Sequence, residues 1–398
     1  MTLKINKSYL TNLLINIVIL LITIACCYYM KFSLEANILY KDKYFIVLSI
    51  VLVSSLILLL VQMKSIITID FHVLIIMAFL ITTFCSALIN HTAYLSWMIQ
   101  VTLWPILYLC MYMMGKNKEM IQVNPYIIYI SYALLIILSI PNIVLNLTGM
   151  GRIGAVIFPV YSIIALLPLA IFIIPNKMRL PLFILILVVS LTTTKRAGIL
   201  SIALGMLSYY ISNGYLSKSI KRKIKTLLIL LVLIILFGLI VVKLDSELNL
   251  GVVDRFLRLK TDGGSQRDLI WQETLEGYLR SPLKNRIFGN GINAVETKLL
   301  PQGGRGIKAH NDWIEILYDF GMIGESFFIL FYLSLFRKWW ILIKRKSLYL
   351  PMYSLCITIV FSFSMFSYLF VESFLSLYLV VFLGYMSGHI KTIIRLEA

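Results

Sequence analysis

The sequence predicts an all-α, polytopic integral membrane protein of about twelve transmembrane helices, with one large outer-side loop that contains short helices. Three observations predict it. The 398 residues are 60% hydrophobic and only 14% charged, whereas a soluble domain carries about 25% charged and roughly 45–50% apolar residues. Apolar runs long enough to cross a bilayer recur along the chain. Lys and Arg alternate between rich and poor connecting segments, as the positive-inside rule requires. Soluble enzymes, disordered tails and disulfide-stapled secreted domains are excluded together.

In windows of about 19 residues the apolar runs lie near 10–30, 44–62, 71–90, 94–114, 125–147, 154–174, 180–193, 197–212, 224–243, 312–336, 350–371 and 373–390. The first, Leu10 to Met30, is too long for a signal-peptide core and lacks a small-residue cleavage site, so it is read as a span. The runs 180–193 and 197–212 are short and separated by Thr192-Thr193-Thr194-Lys195-Arg196; they form two short spans or one broken helix. With the N-terminus in the cytoplasm and twelve spans, the cytoplasmic segments hold 19 Lys+Arg and the short outer loops 6. Merging the doubtful pair would place one of the two richest clusters, Lys218 to Lys225 or Arg337 to Lys346, on the outer side, so twelve is the better count.

The organisation follows: residues 1–242 carry about nine spans, 243–311 form the large hydrophilic loop, and 312–398 carry about three more. The loop faces outward, away from ATP and nucleotide-sugars. Its 11 Lys+Arg and 8 Asp+Glu nearly balance, and long segments translocate largely regardless of charge. Within it, Leu269, Ile270, Leu275 and Leu279 predict an amphipathic helix over Gln266–Arg280, with Trp271 and Tyr278 suited to the membrane interface. Gly289-Asn290-Gly291 predicts a turn, and Gly303 to Gly306 a permissive stretch before His310.

The formal charge of +18 is accounted for by cytoplasmic loops, so no nucleic-acid partner is inferred. The five cysteines, Cys26, Cys27, Cys85, Cys110 and Cys356, lie in apolar runs and read as small hydrophobes. No Walker loop, HExxH, GxSxG or metal-ligand spacing occurs, so neither a metal nor a cofactor is expected. No fixed-period repeat, low-complexity stretch or two-halves symmetry is present.

Of the four histidines, His72, His91 and His389 sit at span ends, where the expected role is a polar interfacial anchor. His310 differs, because Asn311, Asp312 and a long apolar helix follow it. Asp312, Glu315 and Asp319 share one helical face. Two readings stand. Asn311 caps the helix, the acids favour its dipole and His310 is a bystander. Alternatively His310 is a base beside carboxylates that orient its ring or raise its pKa. Arginine at the outer boundary is the second feature, at Arg152 and at Lys195-Arg196; a guanidinium fork suits a diphosphate, although boundary arginines also snorkel to water.

These residues resemble the bacterial O-antigen ligase/polymerase family. Trp271, then Pro282 with Gly289-Asn290-Gly291, then His310-Asn311 with Gly321 and Gly324 match its loop signature. Lys195-Arg196-Ala197-Gly198 looks like its Ser-Arg-small-small motif, with Lys in place of Ser. Gly151-Arg152-Ile153-Gly154 through Phe158-Pro159 resembles its upstream arginine segment, and Arg280 to Gly291 fits an Arg-x10-Gly spacing. The resemblance spans roughly residues 150–330.

The resemblance implies a glycosyltransferase of the bacterial cytoplasmic membrane whose active site lies on the outer face. Its donor would be an oligosaccharide on undecaprenyl diphosphate, with a chain-length regulator and a flippase as partners beside the membrane lipid. It implies that His310 activates the acceptor hydroxyl, that Arg196 and Arg152 hold the diphosphate, and that Arg280 assists or binds glycan. Asn311 or Asp312 would fix the orientation of His310, and Lys195, Gly291 and Arg305 join the substrate-binding positions. Attack opposite the diphosphate predicts inversion at the anomeric carbon. A repeat-unit polymerase for O-antigen or capsule is the first reading and a ligase to lipid A-core the second. A lipid-glycan flippase or transporter is the third, disfavoured because the ionisable residues gather in the outer loop rather than at mid-span.

Overall fold

The computed structural model describes residues 7–35, 38–63, 70–117, 122–147, 159–192, 195–217, 263–299, 301–302, 305–372 and 375–396, with scattered positions between 219 and 257. Its helices in chain order are α1 (Lys7–Glu35), α2 (Ile38–Met63), α3 (Phe71–Ile89), α4 (Leu95–Lys116), α5 (Pro125–Leu147), α6 (Pro159–Ile173), α7 (Asn176–Thr192) and α8 (Arg196–Leu216). After these come α9 (Gly263–Arg280), α10 (Leu283–Phe288), α11 (Asp312–Lys344), α12 (Leu350–Phe366) and α13 (Leu377–Leu396). A short π-helical turn, Val295–Leu299, and a hairpin of β1 (Pro301–Gln302) and β2 (Arg305–Gly306) complete the described loop.

Every apolar run read from the sequence overlaps one of these helices except 224–243, most of which lies outside the described residues. Among the described residues, Ser8–Lys31, Leu39–Gln62, Phe71–Ile89, Leu95–Lys116, Arg196–Leu216 and Asp312–Lys344 are each long and apolar enough to cross a membrane. The chain is therefore a polytopic helical membrane protein. The doubtful region 180–212 forms two helices, α7 and α8, that pack against each other.

The tightest seam joins α4 to α13. There Gly384 and Gly388 present a small-x3-small stripe, and a Cβ at Gly388 would stand 2.0 Å from the Tyr112 carbonyl oxygen. Gly115 answers from α4, where a Cβ would lie 2.0 Å from the Tyr385 carbonyl oxygen. Helices in lipid gain little from the hydrophobic effect, so close backbone approach across small residues is a principal source of association. Around this seam Trp104, Phe320, Phe328, Phe331 and Phe370 form an aromatic core between α3, α4 and α11, with Trp104 and Phe370 centroids 4.6 Å apart.

Two expectations from sequence are corrected. His72 is not an interfacial anchor: it is buried, with Nε2 2.5 Å from the Tyr108 hydroxyl and Nδ1 2.7 Å from Ser334 Oγ. Both ring nitrogens are satisfied, which is how a polar side chain is accommodated inside a bundle. Trp271 and Tyr278 are turned into the loop rather than kept for the interface. Trp271 Nε1 donates to the Ala309 carbonyl at 2.8 Å, and Tyr278 is buried with Ala294, Val295, Ala309 and Tyr318 in a small core of the loop's own.

Candidate functional site

The site is built on a break in α11. Gly321 has φ 69° and ψ −172°, which interrupts the helix and leaves the carbonyls of Tyr318 and Asp319 without their usual partners. The loop supplies replacements. Asn290 N donates to the Tyr318 carbonyl at 3.0 Å, and Gly291 N to the Asp319 carbonyl at 3.0 Å. Ser86 Oγ from α3 donates to the same Asp319 carbonyl at 2.8 Å. A Cβ on Gly321 would meet the Ile287 carbonyl oxygen at 2.4 Å, so the loop and the break interlock. Asn90 and Thr92, beyond the end of α3, hold the other side: Asn90 Nδ2 donates to the Gly289 carbonyl at 3.1 Å and Thr92 Oγ1 accepts from Ile292 N at 3.0 Å.

Ahead of the break, the three acids predicted on one face are all buried, and each fixes a different stretch of backbone. Asp312 accepts from Leu369 N at 3.0 Å on both oxygens, with Phe370 N at 3.2 and 3.3 Å and Val371 N at 3.4 Å completing a nest of amides. Glu315 Oε2 accepts from Ala309 N at 3.1 Å, and Asp319 Oδ1 from Val295 N at 3.2 Å. The acids therefore fasten the loop, the approach to α11 and the segment after α12 to the first two turns of one helix.

His310 lies where these segments converge. It is half-buried, with φ 54°, a left-handed backbone uncommon for a residue with a side chain. Its ring stacks on Tyr368 at 4.8 Å and 29°. Burial first, then the charges of Arg267, Lys195 and Lys308, push the imidazole down to about 3, so it is neutral at physiological pH. Those three cations reach it from α9, from the start of α8 and from the irregular segment between β2 and α11.

Lys308 pairs with Glu372 at 3.1 Å, with about a tenth of each side chain exposed, and its ammonium lies 5.7 Å over the Tyr368 ring. Burial opposes its charge, but Glu372, then Glu315 and Glu296, hold it well above the usual lysine range. Glu372 also accepts from the Tyr29 hydroxyl at 3.3 Å. Arg267 donates to the Phe366 carbonyl, and its charge acts on Tyr161 of α6 and on Tyr368. The result is a partly enclosed cluster of three cations around a neutral imidazole, backed by aromatic rings. Such a cluster can bind an anionic group and place a proton acceptor beside it.

Lys195 and His310 are thus brought together, and Arg196 follows at the first position of α8, half-buried. Asn311 is buried and its side-chain oxygen is engaged in capping α11, accepting from Trp313 N at 3.0 Å and Ile314 N at 3.3 Å. Gly291, at φ 104°, packs against Thr92, where a Cβ would meet Oγ1 at 2.5 Å. Arg280 ends α9, 13 residues and about 20 Å along the helix from Arg267; it is exposed and pairs with Glu276 at 2.5 Å. The backbone of Arg305 pairs with Gln302 in the hairpin. Arg152 lies outside the described residues.

Sequence reasoning missed Lys308, Tyr368 and Glu372 and did not separate Arg267 from the other loop arginines. One signal was available: Glu372 is the only acidic residue between Leu350 and Ile390, and an ionisable residue in an otherwise apolar stretch marks a functional candidate.

Residues 180–329 match the family model described as O-antigen ligase. No curated protein and no solved structure matches the chain. The matched stretch holds Lys195, Arg196, Arg267, Lys308 and His310, while Tyr29, Tyr161, Tyr368 and Glu372 join the site from outside it. Over residues 180–329, a little over a third of its length, this multi-pass membrane protein is thus similar to the family described as O-antigen ligase.

Proposed function

We propose that the protein is a polymerase of surface-polysaccharide repeat units. It transfers a glycan from undecaprenyl diphosphate to a hydroxyl of another lipid-linked repeat unit, on the outer face of the cytoplasmic membrane. The observation that carries the reading is the neutral His310 among Arg267, Lys195 and Lys308. The acceptor oxygen attacks the anomeric carbon from the side opposite the diphosphate, so the configuration inverts. As the new C–O bond forms, the hydroxyl proton passes to His310, and the bond to the diphosphate breaks with its electron pair leaving on the diphosphate. Arg267 and Lys195, with Arg196 beside them, neutralise that growing charge.

The cations also set the timing. With no anion present burial, and after it these three cations, hold the imidazole near 3, too weak a base for useful proton transfer at neutral pH. A bound diphosphate offsets the cations' share of that shift and raises the basicity of His310, so the base strengthens when the donor is in place. A general base contributes roughly 10²–10⁴-fold to the rate.

The ligase reading keeps the same donor and site and changes only the acceptor to lipid A-core; the O-antigen ligase description of the matched family favours it. The test is deletion of the gene, complementation with wild type or His310→Ala at matched expression, and gel analysis of surface glycan. Single repeats extended to long chains by wild type alone support the polymerase. Long polymer left on the lipid carrier means a ligase, loss of surface export of single lipid-linked repeats means a transporter, and normal chains from His310→Ala refute the catalytic base.

A further inference from the structure

A second cavity, with charged side chains around it, takes no part in the proposed chemistry. It lies at the opposite end of α3 from the Asn90 turn that meets the site loop, about 28 Å away along that 19-residue helix. Its volume is about 240 Å³, and Asp70, His72, Tyr112, Ser334, Arg337, Lys338 and Lys391 stand around it, their polar ends set in walls whose cavity-facing surface is mostly apolar. Phe71, Ile341 and Ile390 add an apolar wall.

Among the described residues the charges around it do not balance. Asp70, the cap of α3, is already shared: its carboxylate accepts from Val73 N at 3.1 Å, from the Tyr112 hydroxyl at 2.7 Å and from the Lys391 ammonium, with Lys116 at 3.8 Å. Lys338 reaches the same cavity from α11. Its ammonium nitrogen is buried, lies 5.1 Å over the Tyr112 ring and has no hydrogen-bond partner among the described residues. A buried ammonium without an anion is costly. One carboxylate facing Lys116, Lys338, Lys391 and Arg337 leaves an excess of positive charge that a further anion would offset.

We propose that this cavity binds the phosphate group of an anionic membrane lipid, at the end of the bundle opposite His310. A lipid headgroup and free orthophosphate share the chemistry that Lys338 and Arg337 would recognise. The apolar wall at Phe71, Ile341 and Ile390 argues for a ligand that carries hydrocarbon. In the orientation set by the positive-inside rule this end faces the cytoplasm, where basic pockets between helices meet anionic headgroups.

The test uses the full-length protein, delipidated in neutral detergent and titrated with phosphatidylglycerol, phosphatidylcholine or inorganic phosphate. Bound ligand is counted by native mass spectrometry and thermal midpoints are followed in parallel. Phosphatidylglycerol is expected to bind saturably and raise the midpoint where phosphatidylcholine does not. Lys338→Gln should weaken that binding by at least about tenfold, while Lys346→Gln, exposed beyond α11, should leave it unchanged. Lys338→Gln removes a charge that makes no hydrogen bond, and exposed Arg337→Gln provides a second variant for the same comparison. Inorganic phosphate competing with phosphatidylglycerol in wild type but not in Lys338→Gln would keep the anion site and name free phosphate as its source. Equal binding by wild type and both variants, or no binding of either ligand, overturns the proposal.

Discussion

Replacing Glu372 by Gln should cost about 3–5 kcal/mol, because it strands the Lys308 ammonium in a buried setting. The two charges are 3.1 Å apart and each side chain is about a tenth exposed. At an effective dielectric constant of about 20 their attraction is about 5 kcal/mol, which desolvation offsets in the intact pair and which Lys308 loses once Glu372 is neutral. Asn293 Oδ1 at 3.5 Å is the polar contact left to Lys308, so the lower end of the range is expected. The assay is a double-mutant cycle of Glu372→Gln, Lys308→Met and the pair, with unfolding free energies measured in mixed micelles. The double variant should lose at least about 2 kcal/mol less than the sum of the singles. The folded ammonium titrates above its unfolded value of about 10.4. The pair's contribution is therefore complete below that value and lost only as pH rises through the folded one, and the coupling should be equal at pH 6 and pH 9. Additivity within about 0.5 kcal/mol would mean two independent charges and would refute the reasoning.

Three further outcomes follow. His310 titrates near 3 when folded and about 6.5 when unfolded, so it gives up protons on folding and native stability falls as pH drops through that window. His310→Gln should flatten the decline of the thermal midpoint between pH 7 and pH 4, and parallel profiles would count against the assigned shift. Gly321→Ala places a Cβ 2.4 Å from the Ile287 carbonyl oxygen on a backbone at φ 69°; it should cost more than about 2 kcal/mol, read as loss of folded protein after detergent extraction. Arg267→Gln should lower turnover by about 10²–10³-fold at nearly unchanged midpoint. Arg280→Gln should change stability by less than about 0.5 kcal/mol, since its partner Glu276 is a surface i,i+4 neighbour; equal turnover losses for the two would place Arg280 in the chemistry after all.

The bundle could be read from the chain because hydropathy is a local quantity: each helix of the described residues that overlaps an apolar run announces itself within its own window. The loop helix was also local, and the predicted Gln266–Arg280 lies within α9. At the site, the capping geometry of Asn311 and the shared face of Asp312, Glu315 and Asp319 follow from spacing alone. What the acids hold did not, since their partners at 369–371, 309 and 295 lie 57 to 59, 6 and 24 residues away in sequence with no motif linking them. Tyr368 and Glu372 sit in an apolar stretch with no motif around them, and only the fold carries them to His310. Arg267 and Arg280 look alike in sequence; one faces the cluster and the other solvent because about 20 Å of helix separates them.

The break at Gly321 also changes how this protein could be recombined with a relative. The turns from Asp312 to Phe320 are continuous in chain with the membrane-crossing part of α11, but their bonds run to the loop, to α3 and to the segment after α12. A chimaera joined where the hydrophilic loop ends in sequence would pair one protein's loop with another's clamp and leave three carboxylates facing the wrong amides. A junction placed just beyond Gly321, with residues 367–372 exchanged alongside, would move the three carboxylates together with the amides they hold, leaving the contacts of Ser86, Asn90 and Thr92 at the end of α3 and the aromatic packing of the bundle to be matched.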